Sequence, residues 1–176
     1  DELLAVLATV APELANAPMV WAPSSSSEIW NAQTDEQITG LEGQHLFIRV
    51  ADARDITRAG KALFKRLWLS GHGHFVVGKV GQLLRRGPID AAVWQPSRLS
   101  FDAAPECVWP LESRRSAPVV INDDSAPVDT LKAIPDLSAA ESERLAAIQA
   151  EQRAAPDLVT LASERRGKWI KEKVEA

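Results

Sequence analysis

The run HLFIRV, residues 45–50, alternates: Leu46, Ile48 and Val50 fall on one side of an extended chain, and His45, Phe47 and Arg49 on the other. Successive side chains of a strand point to opposite faces, so a period of two reads as a β-strand with one face turned to a core. Five residues later the period changes. Asp55 reads as an N-cap, Ile56, Leu63 and Leu67 follow at helical spacing with Phe64 and Trp68 beside them, and Gly71 is a natural stop. Residues 75–77 and 82–86 then read as two short strands around Gly78 and Gly81, and residues 89–94 as a third, so 74–94 is an expected antiparallel meander. Strand, helix and meander in that order predict an α+β fold, a mixed, largely antiparallel sheet with packed helices.

Upstream, residues 1–11 read as a helix capped by Asp1, with Leu3, Leu4 and Leu7 as its apolar stripe and Pro12 as its limit. Met19, Val20 and Trp21 make a short strand before Pro23. The run Ser24–Ser27 is too polar for a core, residues 28–30 resume a strand, and Asn31, Asp35, Gly40 and Gly43 mark turns. Downstream, residues 101–135 are rich in proline and read as extended chain. Ser138 and Glu141 form a capping box that opens a helix over 139–154; Pro156 breaks it, and a second helix follows over 157–174 with Leu158, Leu161, Trp169 and Ile170 as apolar contacts. The expected organisation is a core over 1–110, an extended linker over 111–136 and a helical hairpin over 137–176.

The 176 residues are 45% hydrophobic, enough for a sizeable core. A single cysteine, Cys107, excludes an internal disulfide framework and reads as a buried structural thiol in a reducing compartment. No apolar run reaches ~18 residues and Asp1 and Glu2 stand where a signal peptide would be basic, so a cytoplasmic protein without a membrane span is expected. The net charge of -4 is unevenly spread. Residues 51–100 carry nine Lys and Arg against three acids, while both flanks are acidic. A basic block suits phosphate, although bases on a surface helix are often no more than a solvated face.

Three features carry candidate chemistry. His45 heads a strand directly after a Gly-Gln pair, where an imidazole either donates to a phosphate oxygen or is satisfied at a strand edge. Asp90 falls among apolar residues, with Arg85, Arg86 and Arg98 near it in sequence. A buried carboxylate needs a partner, which is either one of these arginines or a divalent cation. His72 and His74 are two apart, as in some metal sites, but their glycines read more simply as a turn after a helix. Trp21, Trp30, Trp68, Trp94 and Trp109 are expected to fill core. The chain has no P-loop, no glycine-rich dinucleotide fingerprint and no nucleophile elbow.

The order Ser24–Ser27, then residues 40–48 ending in Gly43, His45 and Ile48, then the helix with Gly60, Leu63, Arg66, Leu67 and Trp68, then residues 83–90 and Pro96–Phe101 resembles phage- and plasmid-borne primase-polymerases of the archaeo-eukaryotic primase superfamily. It covers about half the chain. The resemblance implies metal-dependent nucleotidyl transfer. His45 looks like the histidine of the second motif, with Ser25 and Ser27 approaching it and Arg85, Arg86 and Arg98 on the nucleotide. Asp90 looks like the acid of the third motif, a ligand for Mg2+ or Mn2+. The first motif, a pair of acids on one strand, would precede residue 1, and Asp1 and Glu2 at a helix start do not replace it. The implied protein is part of a catalytic core, inactive without an upstream acidic motif. Its implied partners are nucleoside triphosphates and single-stranded DNA. From architecture alone, the C-terminal helices are expected to contact DNA or a neighbouring helicase domain. A nucleotide or single-stranded DNA binding module without catalysis is the alternative, and a histidine metalloprotein ranks below both.

Overall fold

The computed structural model describes residues 2–95 and 103–174. In chain order the elements are α1 (Glu2–Ala8), β1 (Met19–Pro23), β2 (Ile29–Asn31), β3 (Glu36–Thr39), β4 (Gln44–Ile48), α2 (Ile56–Leu69), β5 (His74–Val77), β6 (Leu83–Arg86), β7 (Leu111–Ser113), β8 (Val119–Ile121), α3 (Thr130–Ala133), α4 (Ala139–Arg153) and α5 (Pro156–Val174). The fold is α+β: three small antiparallel sheets with helices, ending in two C-terminal helices. The chain divides into two compact units. Unit 1 takes residues 1–15, 54–95 and 130–176; unit 2 takes 16–53 and 96–129. The division also sorts charge, since unit 1 carries 16 Lys and Arg against 13 acids, and unit 2 carries 4 against 11. A polyanion is therefore repelled by unit 2 and tolerated by unit 1.

Unit 2 holds two of the sheets, ordered β4-β1-β8 and β3-β2-β7. The period of two in residues 45–50 is realised: β4 pairs antiparallel with β1, Ile48 opposite Met19 and His45 opposite Ala22. Leu46 and Ile48 are half-buried, whereas Phe47 on the opposite face is exposed. In the second sheet the Arg114 guanidinium lies 4.5 Å above the Trp30 ring and also bonds Asp35 and Glu112 at 2.6 Å. Residues 111–136 hold β7, β8 and α3.

Unit 1 is organised by α2. Its apolar stripe buries Phe64, Leu67 and Trp68, and Phe64, Trp68, Phe75 and Leu145 form a cluster against which Ile89, Trp94 and Leu158 pack. The Trp68 and Phe75 rings meet edge to face at 5.1 Å, a favoured aromatic geometry. The close approach needs glycine: a Cβ at Gly73 would sit 2.1 Å from the Trp68 ring, and one at Gly60 2.3 Å from the Trp94 ring. α4 starts as expected, with Ser138 accepting from the Glu141 N–H and Glu141 accepting in return. Asp1, expected to cap α1, lies outside the described residues.

The structure departs from the sequence reading at several points. Asp55 precedes α2 but makes no side-chain cap bond, because its carboxylate is held by Arg58 and Thr130. Residues 89–94 are a turn rather than a third strand. Pro88 lacks an N–H for a ladder, and the Asp90 side chain accepts the Ala92 N–H at 3.0 Å, a local bond that competes with sheet pairing. Trp109, expected in the core, is 72% exposed, and Cys107 is half-buried.

α5 has no buried residue. It is attached where Leu158 meets the core and where Arg165 donates to the Val77 carbonyl. Gly81, in the turn between β5 and β6, has φ of +80°, and a Cβ there would stand 2.5 Å from the Ala162 carbonyl oxygen. Gly81→Ala meets both a left-handed backbone and a main-chain atom that cannot rotate away. It is expected to destabilise unit 1 by about 1–3 kcal/mol. Urea unfolding reads the loss, and faster amide exchange in α5 than in α2 locates it.

Candidate functional site

β6 ends in two arginines. Phe75 stands opposite Arg85 and His74 opposite Arg86. Directly opposed residues share a face, so Arg85 leaves the sheet on the core side with Phe75 and Arg86 on the outer side with His74. Both guanidinium groups are exposed. Together with residues 87–91 they line an open depression of about 340 Å³. The segment that closes it is anchored at both ends: Ile89 packs on the core cluster, and Trp94 lies across Gly60 while its carbonyl accepts the Thr57 hydroxyl at 3.5 Å. Asp90 sits between these anchors, exposed, with one carboxylate oxygen on the Ala92 N–H. The expectation of an acid buried in an apolar strand is thus corrected to an exposed acid in an Asx-type turn. The result is a fixed, solvent-facing ledge with two cations and one carboxylate. An exposed guanidinium group suits the planar, bidentate recognition of phosphate.

The other bases of the 51–100 block divide into two kinds. Arg54, Lys61, Lys65 and Lys79 are exposed, as a solvated face would be. Arg58 and Arg66 are structural. Arg58 clasps Asp55 through two 2.6 Å bonds and donates to the carbonyls of Thr130 and Ile134 and to Asp136. Arg66 donates to the carbonyls of Pro135 and Asp136 and to Glu141. Hydrogen bonding to Arg58 and Thr130 holds the Asp55 carboxyl down at about 2. The backbone N–H and hydroxyl of Ser138, with Arg66, hold Glu141 below the ordinary carboxylate range.

In unit 2, His45 opens β4, half-buried, its ring 5.8 Å from that of Phe47 and edge-on to it. The serine run does come to the start of this strand: the Ser24 N–H donates to the Gly43 carbonyl at 2.8 Å, next to the Pro23–Gln44 pair. Ser25 is half-buried in the turn. Ser27 is fully buried, donates to the Gly43 carbonyl and accepts from the Glu42 and Gly43 N–H groups, so its hydroxyl serves the loop. His45 and the serines belong to unit 2, and Arg85, Arg86 and Asp90 to unit 1. Arg98 lies outside the described residues.

His72 follows the α2 stop, its N–H on the Leu67 carbonyl, while His74 begins β5. Among the described residues no three of His, Cys, Asp and Glu stand together as a metal site. Asp90 offers one carboxylate, which by itself falls short of a two-ion cage. His74 is the neighbour of Arg86 that the sequence reading left in a turn; the aromatic and β-branched run Phe75–Val77 directly after it is the signal for a strand.

No family model, curated protein or solved structure matches this chain. No helix among the described residues is long and apolar enough to cross a membrane.

Proposed function

We propose that the ledge at residues 85–91 binds the phosphates of a nucleotide or of single-stranded DNA, with Arg85 and Arg86 as the cationic contacts. The observation that carries this reading is the contrast among arginines. Arg58 and Arg66 are spent on carboxylates and carbonyls, while Arg85 and Arg86 stand exposed over a depression on the unit that carries the chain's positive charge. The wider reading, from the resemblance, is a part of a primase-polymerase core in the cytoplasm. The resemblance assigns nucleotide contacts to His45, Ser25 and Arg98 as well, and one Mg2+ or Mn2+ ligand to Asp90. Transfer then requires acids beyond those described here, and binding does not.

The binding test is titration of a fluorescently labelled deoxynucleoside triphosphate against the full chain. The Arg85→Ala/Arg86→Ala double variant is expected to bind roughly tenfold or more weakly, since each charge-assisted phosphate contact contributes about a kcal/mol or more. Equal affinity of variant and wild type removes the ledge from the reading. The catalytic extension is tested by primer synthesis with the gene product that contains this chain, wild type against Asp90→Ala, where equal activity refutes Asp90 as a ligand.

A further inference from the structure

The outer half of α5 is the least explained part of unit 1. Residues 164–174 read ERRGKWIKEKV, with five bases and two acids, and every residue of the stretch is exposed. Arg166, Trp169, Ile170 and Lys173 recur at i, i+3, i+4 and i+7, which places them on one face of the helix. On that face Trp169 is 40% exposed and Ile170 47%. An isolated helical stretch of this length is marginal in water, and the local support includes a loose Lys168–Glu172 pair at 3.9 Å. Bases in a last turn complement the helix dipole, which accounts for Lys171 and Lys173. It does not account for a large indole and an isoleucine kept about half exposed between cations, beyond the point where the helix passes the Gly81 turn at Ala162 and Arg166.

An aromatic ring flanked by bases on a solvent face is the arrangement that holds single-stranded nucleic acid: the ring stacks on a base of any identity, and the cations lie along the phosphates. Charge complementarity favours a polyanion, since α5 belongs to the basic unit. We infer that the Arg166–Trp169–Ile170–Lys173 face of α5 binds single-stranded nucleic acid, Trp169 stacking on a base while Arg166 and Lys173 contact flanking phosphates. This is a second surface, reached through different residues from the ledge at 85–91, and it goes beyond that reading by adding a face that stacks on a base.

The experiment is fluorescence anisotropy of labelled (dT)20 with the full chain over a salt series. The Trp169→Ala/Lys173→Ala variant, shown by circular dichroism to retain its helix content, is expected to lose roughly tenfold in affinity. Its salt slope is expected to fall by about 0.7 for the one phosphate contact removed. Trp169→Phe is expected to keep most of the affinity, because it keeps a stacking face. The labelled deoxynucleoside triphosphate is expected to bind this variant as it binds wild type. Conversely, Arg85→Ala/Arg86→Ala is expected to lose the mononucleotide while its (dT)20 binding still falls when Trp169→Ala/Lys173→Ala is added, so failure of one reading is distinguishable from failure of the other. Unchanged (dT)20 affinity in Trp169→Ala/Lys173→Ala overturns the inference. So does binding to phosphatidylserine vesicles without binding to (dT)20, which assigns the face to a lipid surface.

Discussion

Trp68→Ala is expected to unfold unit 1 more readily than any other single truncation, at a cost of about 3–5 kcal/mol. The side chain is 1% exposed and joins α2 to β5 through its edge-to-face contact with Phe75. Gly73 lies directly against the ring, so the space left behind is bordered by backbone that cannot swing in to fill it. The measurement is the midpoint of urea unfolding, with m used to check that the transition keeps its cooperativity. Trp68→Phe is the informative companion. The indole Nε1 of Trp68 is buried without a hydrogen-bond partner among the described residues, so phenylalanine loses volume but also removes an unsatisfied donor, and a cost well below that of alanine is expected. Comparable losses in the two variants overturn this account of the site.

Arg58→Ala is expected to cost about 2–4 kcal/mol, the second largest effect. Its guanidinium makes five hydrogen bonds, two of them to the Asp55 carboxylate, with a side chain only 26% exposed. Truncation leaves that carboxylate, 13% exposed, with the Thr130 hydroxyl as its remaining described partner, and it strips donors from two carbonyls of the 130–136 segment. The same clasp gives unit 1 an acid dependence. Asp55 is held at about 2 in the folded chain against an ordinary 3.8. A depressed carboxyl stabilises the fold fully above its unfolded value, and that contribution is lost as pH falls from about 4 to about 2. Glu141 is shifted the same way by Ser138 and Arg66 and adds to the same slope. Stability measured across this window is expected to fall in the wild type and to fall less steeply in Asp55→Asn, whose amide does not titrate. Parallel profiles refute the clasp as the cause.

The sequence yielded what short-range periodicity controls. The alternation in residues 45–50, the helical stripe at Phe64, Leu67 and Trp68 and the Ser138–Glu141 box each depend on residues within a few positions of one another, and each appears as expected, although Ile56 at the head of that stripe is exposed. What it concealed was the choice among competing local bonds and everything set by distant partners. Asp55 fits an N-cap equally well whether or not Arg58 captures it. The capture rests on Thr130, 75 residues away, which no window around α2 contains. Asp90 reads as strand from its apolar neighbours, yet its side chain takes the Ala92 N–H, its carbonyl takes the Val93 N–H, and the chain turns. The candidate site was legible as a list: Arg85, Arg86 and Asp90 do line one depression, and the serine run does meet the start of the His45 strand. That Ser27 is consumed by its own loop, and that His74 stands beside Arg86, depended on burial and register.

The discontinuity of unit 1 has a temporal consequence. Its core helix and hairpin lie in residues 54–95, but the carbonyls that receive Arg58 and Arg66, and the Leu145 that completes the apolar cluster, all come after residue 129. On the ribosome, a nascent chain that has emerged as far as β6 therefore carries α2 without Leu145 on its stripe and with Arg58 and Arg66 lacking their carbonyl partners. It must stay in that condition until α3 and α4 leave the exit tunnel, a delay of several seconds at roughly 5–20 residues per second. Over that interval the emerging polypeptide is a natural client for a chaperone that holds apolar helices.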